Sequence, residues 1–300
     1  MPRGSDGLYD YTQLKKTAEA LPHTVFGQSV LHRNLYLLTL GQGPVKILLH
    51  AAHHGLEQIT TEVLMRFYWE LREGLLRKEE KYLAMAERLT LDFVPMVNPD
   101  GVELALHGLS GDHPYYYDLK RMLGGRSPSE VWQANIRGVD LNHNYDAGFE
   151  RSKALLSAVG ITEAGPTRYA GPSPESEPES HALAELTRQR DYDMTLSFHA
   201  QGEVIYYGYM NYTPPEAEEI GRALADASGY GLEKAEGVAA LGGYKDWFTK
   251  AFRRPGYTIE VGRGKNPLPP TDLEGIYQKL RPLFFTLPTL TYQSKDRSDT

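Results

Sequence analysis

Short apolar runs rich in branched residues alternate along this chain with apolar stripes at helical spacing. The first stripe, Tyr9 to Ala20, sets Leu14, Ala18 and Leu21 on one side of a helix. Val25 to Leu40 has hairpin character, turning at Gly27-Gln28-Ser29 and extending from Asn34 to Leu40. The turn Gly41-Gln42-Gly43-Pro44 feeds Val45 to Leu49, an unbroken apolar run that predicts a strand covered on both faces. That strand stops at His50-Ala51-Ala52-His53-His54-Gly55-Leu56-Glu57. Helical spacing then takes over near Glu57 and runs through Ile59, Val63, Leu64 and Phe67 to about Gly74.

Further on, Lys78 to Arg88 predicts a charged helix and Leu91 to Val97 a strand closed by a tight turn, Asn98-Pro99-Asp100-Gly101. Leu106 to Glu130 has no clear period and reads as a long loop. Trp132 to Tyr145 is dense in polar groups. Gly165 to Pro178 is a second proline-rich loop, ending in a helix start capped by Ser176. Asp193 to Phe198 predicts a strand that delivers His199, Glu203 to Tyr209 another, and Pro215 to Ala227 a helix. Gly242 to Phe248 enters a helical turn, Tyr257 to Gly262 is a strand carrying Glu260, and Leu273 to Phe285 is the last helix. These elements predict an α/β fold: one domain over residues 1–300, with a mixed, mostly parallel sheet flanked by helices and ends that fray at about 1–8 and 292–300.

Composition narrows the chemistry. A formal net charge of -7 argues against nucleic acid or an anionic membrane surface as partner. No apolar run approaches the roughly 18 residues needed to span a bilayer, and Met1 to Gly7 lacks the apolar core of a secretion signal. A cytoplasmic location is the default expectation. With no cysteine, any metal must rest on His, Asp and Glu.

The histidine cluster lies where open α/β sheets place ligands, at the end of a strand and the start of a helix. His54 and Glu57, three apart, can share a cation, although spacing alone leaves a His53–Glu57 pairing open; His50, inside the strand, reads as core or as a support to its neighbours. A catalytic zinc needs three protein ligands and one open position. His199 and Glu260 each close an apolar strand too, and several strands ending in metal-type or base-type side chains point to a reaction centre.

Taken in order, these residues carry a resemblance. His54-Gly55-Leu56-Glu57, Asn98-Pro99-Asp100-Gly101, Gly138-Val139-Asp140-Leu141-Asn142-His143-Asn144, Ser197-Phe198-His199, Asp246-Trp247 and Thr258-Ile259-Glu260 resemble the zinc metallocarboxypeptidase family from about Tyr11 to Leu287. Trp132 to Asn135, Ser197 to Tyr206 and Pro255 to Gly262 are similar to its bacterial branch, the γ-D-glutamyl-L-diamino-acid peptidases. The resemblance implies one zinc per chain held by His54, Glu57 and His199, and Glu260 as general base, taking a proton from attacking water and returning it to the leaving amine. Relatives place an oxyanion-binding arginine directly after the motif tryptophan, where this chain has Gln133; Arg137 is the expected replacement, with Gln133 as a further donor.

Three departures from the family pattern bear on specificity. Asn142 is followed by His143 where carboxypeptidases have arginine, Leu56 replaces another arginine, and Val238 falls near a mobile tyrosine. Each weakens the grip on an ordinary peptide C-terminus. Asn142, His143 and Gln133 remain substrate contacts in this reading, and Lys245, directly before Asp246-Trp247, offers an ammonium to a carboxylate-bearing side chain such as that of diaminopimelate. The expected partner is a peptide, a peptidoglycan stem peptide cut at the γ-D-glutamyl bond, with the oligomeric state left open. The rivals are a carboxypeptidase acting on ordinary peptides and a non-catalytic binding module of the same fold. A serine hydrolase is disfavoured, since no Gly-x-Ser-x-Gly elbow occurs.

Overall fold

A computed structural model describes residues 8–290 of the chain, and everything below refers to these. The strands are β1 (Thr24–Gln28), β2 (Asn34–Leu40), β3 (Val45–Ala51), β4 (Leu89–Val94), β5 (Met194–His199), β6 (Val204–Tyr207), β7 (Gly231–Glu233) and β8 (Gly256–Glu260). The helices are α1 (Tyr11–Glu19), α2 (Gln58–Leu76), α3 (Glu80–Arg88), α4 (Pro99–His107), α5 (Tyr116–Leu123), α6 (Pro128–Val131), α7 (Phe149–Ala158), α8 (Pro178–Arg190), α9 (Ala217–Ser228), α10 (Tyr244–Phe252) and α11 (Leu273–Thr286).

The strands form one sheet in the order β1-β2-β4-β3-β5-β8-β6-β7. Its centre, β4-β3-β5-β8, is parallel, while β2 and β6 join that centre antiparallel. Parallel strands need helical crossovers that cover both faces, which is why β3 and β5 are buried almost throughout. Ile47, Leu49 and Ala51 of β3 and Met194, Leu196 and Phe198 of β5 point into a layer with α2, α9 and α11. Leu48 points the other way, towards Leu183 of α8 and Tyr244, Trp247 and Phe248 of α10. The single α/β domain with its mixed sheet is the expected architecture.

The order of connection fixes where a ligand can sit. From β3 the chain passes through α2 and α3 to β4 on one side, and later reaches β5 on the other. The crevice beyond the carboxyl ends of β3 and β5 is therefore a topological switch point, the usual binding position in open α/β sheets.

Several boundaries differ from expectation. The hairpin turns at Ser29–Arg33, where the Ser29 N–H donates to the Arg33 carbonyl, and Gly27 instead sits in β1 at a break in register. Asn98 caps α4 by accepting the Gly101 N–H at 3.0 Å, so the expected tight turn is a helix start. The stretch taken as one loop, Leu106 to Glu130, contains α5 and α6. Glu177, not Ser176, holds the N-cap position of α8, and its first helical residue, Pro178, donates no N–H that would need a cap. The ends expected to fray lie, apart from Leu8, outside the described residues. No helix among the described residues is long and apolar enough to cross a membrane.

Candidate metal centre and active-site cleft

β3 ends at Ala51, and the chain bends sharply through Ala52 (φ 53°) before presenting His54. Gly55 makes that approach possible: a Cβ there would lie 2.5 Å from the Gly101 carbonyl oxygen. Glu57 occupies the N-cap position of α2, and its carboxylate accepts the Ala200 N–H at 3.2 Å instead of capping the helix. His199 arrives as the last residue of β5, in register with Glu260 at the end of β8.

One ligand atom from each of His54, Glu57 and His199 lies within 4.8 Å of the other two. His54 Nδ1 is 2.9 Å from Glu57 Oε1, and His199 Nδ1 is 3.1 Å from Glu57 Oε2. The opposite ring nitrogens are tied back. His54 Nε2–H donates to Asp140 Oδ1 at 3.1 Å, and His199 Nε2 meets Ser197 Oγ at 3.1 Å. With its Nε2–H held by Asp140, His54 directs Nδ1 at the buried Glu57 carboxylate, as does His199 from the other side. Imidazole–carboxylate ligands backed by a second carboxylate suit a divalent metal such as zinc, which would take the place of a proton shared between them. A second such group, Asp10, Glu103 and His107, lies near the surface with its acids already engaged: Asp10 caps α1, and Glu103 accepts the Tyr11 N–H.

Charge follows the same geometry. Burial opposes a carboxylate charge at Glu57, but His54 and His199 outweigh it and hold the group down at about 2. Burial likewise opposes charge on His54, yet Glu57 and Asp140 keep its pKa well above the ordinary histidine value. Glu260 has no such support: burial first, and the Glu57 charge second, push it up to about 8. A divalent cation among its neighbours draws such a group back down.

An open cleft of about 760 Å³ surrounds these residues. Gln133, Asn142, His143, Lys245 and Glu260 all line it, alongside His54 and Glu57. Gln133 Oε1 accepts from the Thr167 hydroxyl, leaving its amide N–H groups for the cleft. Asn142 Oδ1 accepts the Tyr244 N–H at 3.1 Å, and His143 Nδ1 meets the Leu241 carbonyl at 3.2 Å. Lys245 is buried, donating to the Gly208 carbonyl at 2.7 Å and to Asp246.

Arg137 is a correction. It does not line the cleft; its side chain is 48% exposed and its guanidinium lies 3.6 Å from Glu177. The Gly138 turn and the bonds from Asn135 Oδ1 to the Arg137 and Val139 N–H groups point it outward. The other open readings close as well. His53 Nε2 meets the Tyr145 hydroxyl at 3.1 Å instead of Glu57. His50 is buried against Tyr244 and His53, and neither of its ring nitrogens has a hydrogen-bond partner.

Sequence reasoning gave no role to Asp140, Ser197 or Asn266. Asn266 donates to the Ala200 carbonyl at 2.7 Å and lies 3.5 Å from Glu57 Oε1. Asp140 stood inside a motif, but nothing in its spacing to His54 marked it. Asn266 sits in a glycine- and proline-rich loop without period.

Comparison with known proteins adds descent to geometry. A family model described as zinc carboxypeptidase matches residues 11–282. The chain is 37% identical over 287 residues to gamma-D-glutamyl-L-diamino acid endopeptidase 1 of Lysinibacillus sphaericus, covering 92% of this chain and 71% of that one. In structure it is similar to bovine thrombin-activatable fibrinolysis inhibitor, with a TM-score of 0.70 and 17% identity over 94% of this chain and 96% of the other. It is also similar to murein-tripeptide amidase MpaA from Escherichia coli O157, with a TM-score of 0.53 and 22% identity over 93% and 97% of the two chains.

Proposed function

The chain belongs to the zinc carboxypeptidase family, whose members are zinc metallopeptidases, and from that premise we propose that it cleaves the γ-D-glutamyl amide to a diamino acid in bacterial cell-wall peptides. His54, Glu57 and His199 hold one zinc ion in this reading, and Glu260 is the general base. The observation that carries it is the convergence of three ligand atoms at the switch point, two of them on buried residues, with Glu260 in register beside His199. The name of the Lysinibacillus relative supplies the substrate class.

The chemistry that zinc supplies when bound in such a set is Lewis acidity, which polarises carbonyls and acidifies water. The remaining work falls to the chain. Asp140 and Ser197 keep protons on the outward ring nitrogens, so that His54 and His199 offer Nδ1 lone pairs. Glu260 takes the proton of the attacking water and passes it to the departing amine, with no covalent bond to the protein. The Gln133 amide donates to the oxygen on which negative charge develops. Asn142, His143 and Lys245, which all line the cleft, hold the amine-side residue in this reading.

Mass spectrometry of products from muropeptides of known stem length tests this. The expected products part between D-glutamate and diaminopimelate. Stepwise release of C-terminal amino acids from unmodified peptides, with muropeptides left whole, would instead make it an ordinary carboxypeptidase.

A further inference from the structure

An amide made through the γ-carbon of glutamate leaves the α-carboxylate of the same residue free, three carbons from the reacting carbonyl. An ordinary peptide bond carries no such charge on its carbonyl side. A site built for the γ-linkage therefore needs a cation there, in addition to whatever holds the leaving residue. Among the cleft cations, Lys245 is already assigned to the leaving residue, and Arg126 Nε donates to the Leu123 carbonyl. Arg168 and Lys265 line the cleft exposed, and no described carboxylate pairs with either; of the two, the loop bonds described next tie Arg168 to the metal site.

The backbone of Arg168 is fixed to the metal site. Its N–H donates to Asp140 Oδ2 at 2.8 Å, and the other oxygen of that carboxylate accepts from His54. On one side of it, the Pro166 carbonyl accepts the N–H groups of Gln133 and Ala134 at 2.8 and 3.0 Å, and the Thr167 hydroxyl donates to Gln133. On the other, the Tyr169 carbonyl accepts the Asp140 N–H at 2.7 Å. These bonds hold Arg168 at φ 68°, a left-handed conformation that a long side chain seldom adopts. Arg168 thereby lines the same cleft as Gln133, the donor assigned to the carbonyl oxygen.

Resting on the γ-glutamyl reading above, we infer that Arg168 binds the free α-carboxylate of the residue that supplies the scissile carbonyl. A planar guanidinium matches a carboxylate with two parallel hydrogen bonds, and the tethered loop fixes its approach. The position follows from this chain's own loop at 165–169, not from the motif slot that Gln133 fills.

The test uses two peptides that differ at one group: a γ-D-glutamyl-diaminopimelate peptide and the same peptide with the glutamyl α-carboxylate converted to a carboxamide. Wild type is expected to prefer the carboxylate form. Arg168→Ala should lower kcat/KM on that form by roughly 10- to 100-fold, with little change on the carboxamide, so that the preference collapses. Arg168→Lys should retain part of it, and thermal melting of both variants controls for folding. An equal loss on both peptides, or a preference intact in Arg168→Ala, overturns the assignment. A preference lost only in Lys265→Ala, the other exposed cleft cation, overturns the assignment in favour of Lys265. A wild type inactive on both peptides overturns the γ-glutamyl reading itself, and the inference with it.

Discussion

At the scale of single residues, the site is a chain of fixed protons. Asp140 is held well below the ordinary carboxylate range; burial opposes this, and the His54 charge with its hydrogen bond outweighs it. An always-ionised Asp140 keeps the His54 proton on Nε2, so Asp140→Asn should weaken zinc binding by about 10- to 100-fold without unfolding the chain. Competitive titration against a chromogenic chelator measures that loss; an unchanged affinity would separate Asp140 from the metal site. The candidates His54, Glu57, His199 and Glu260 stand out in the sequence because they lie at or just beyond strand ends and fall in the motifs that carry the family resemblance. The direction of Arg137 does not stand out, because it depends on a turn and on Glu177, which is 40 residues away in the chain. Asp140, Ser197 and Arg168 act through partners on other elements, and no periodicity marks such partners.

At the scale of elements, two buried packings make separate demands. Between α2 and α11, Phe67 stacks on Phe284 with ring centroids 4.0 Å apart and planes 6° from parallel. Both rings are fully buried, and Phe284→Ala should cost about 3–5 kcal/mol in chemical denaturation; a loss under 1 kcal/mol would mean that the two helices contribute little to each other. At the start of α8, burial first and Asp100 second raise Glu179 to about 7, although it accepts the Val30 N–H at 3.0 Å. Its folded pKa lies above its ordinary value of 4.5, so the unfolded chain gives up this proton first as pH rises. The contribution is whole below about 4.5 and lost by the time pH passes 7. Glu179→Gln should therefore gain stability relative to wild type as pH rises through that window, by an amount on the order of 2–3 kcal/mol. A difference that does not change with pH would contradict it.

The elements were legible in proportion to their period. β3 holds an apolar run, β5 and β8 set apolar residues at alternate positions, and α2 and α11 carry long stripes, so tertiary structure had little to add. α5 and α7 are short amphipathic helices in glycine- and proline-rich surroundings, and their stripes carry too few turns to stand out. The Asn98 segment misled because asparagine and proline serve a tight turn and a helix start equally well.

At the scale of the whole molecule, sheet topology and chemistry meet at one place. The parallel centre of the sheet brings residues 54, 57, 199 and 260 together across more than 200 positions of sequence, so the site exists only in the folded chain. Metal that binds only the folded state must stabilise it, and zinc in about thousandfold excess over its dissociation constant should add about 4 kcal/mol. The melting temperature should rise with zinc and fall with a chelator.

The most direct test joins metal content to activity in five proteins: wild type, His54→Ala, Glu57→Ala, His199→Ala and Glu260→Gln. Elemental analysis should find about one zinc per chain in wild type and in Glu260→Gln, and little in the other three. Glu260→Gln, although loaded, should hydrolyse the γ-glutamyl peptide about 10³-fold more slowly than wild type. Zinc retained in all three ligand variants, or full activity in Glu260→Gln, would contradict the account.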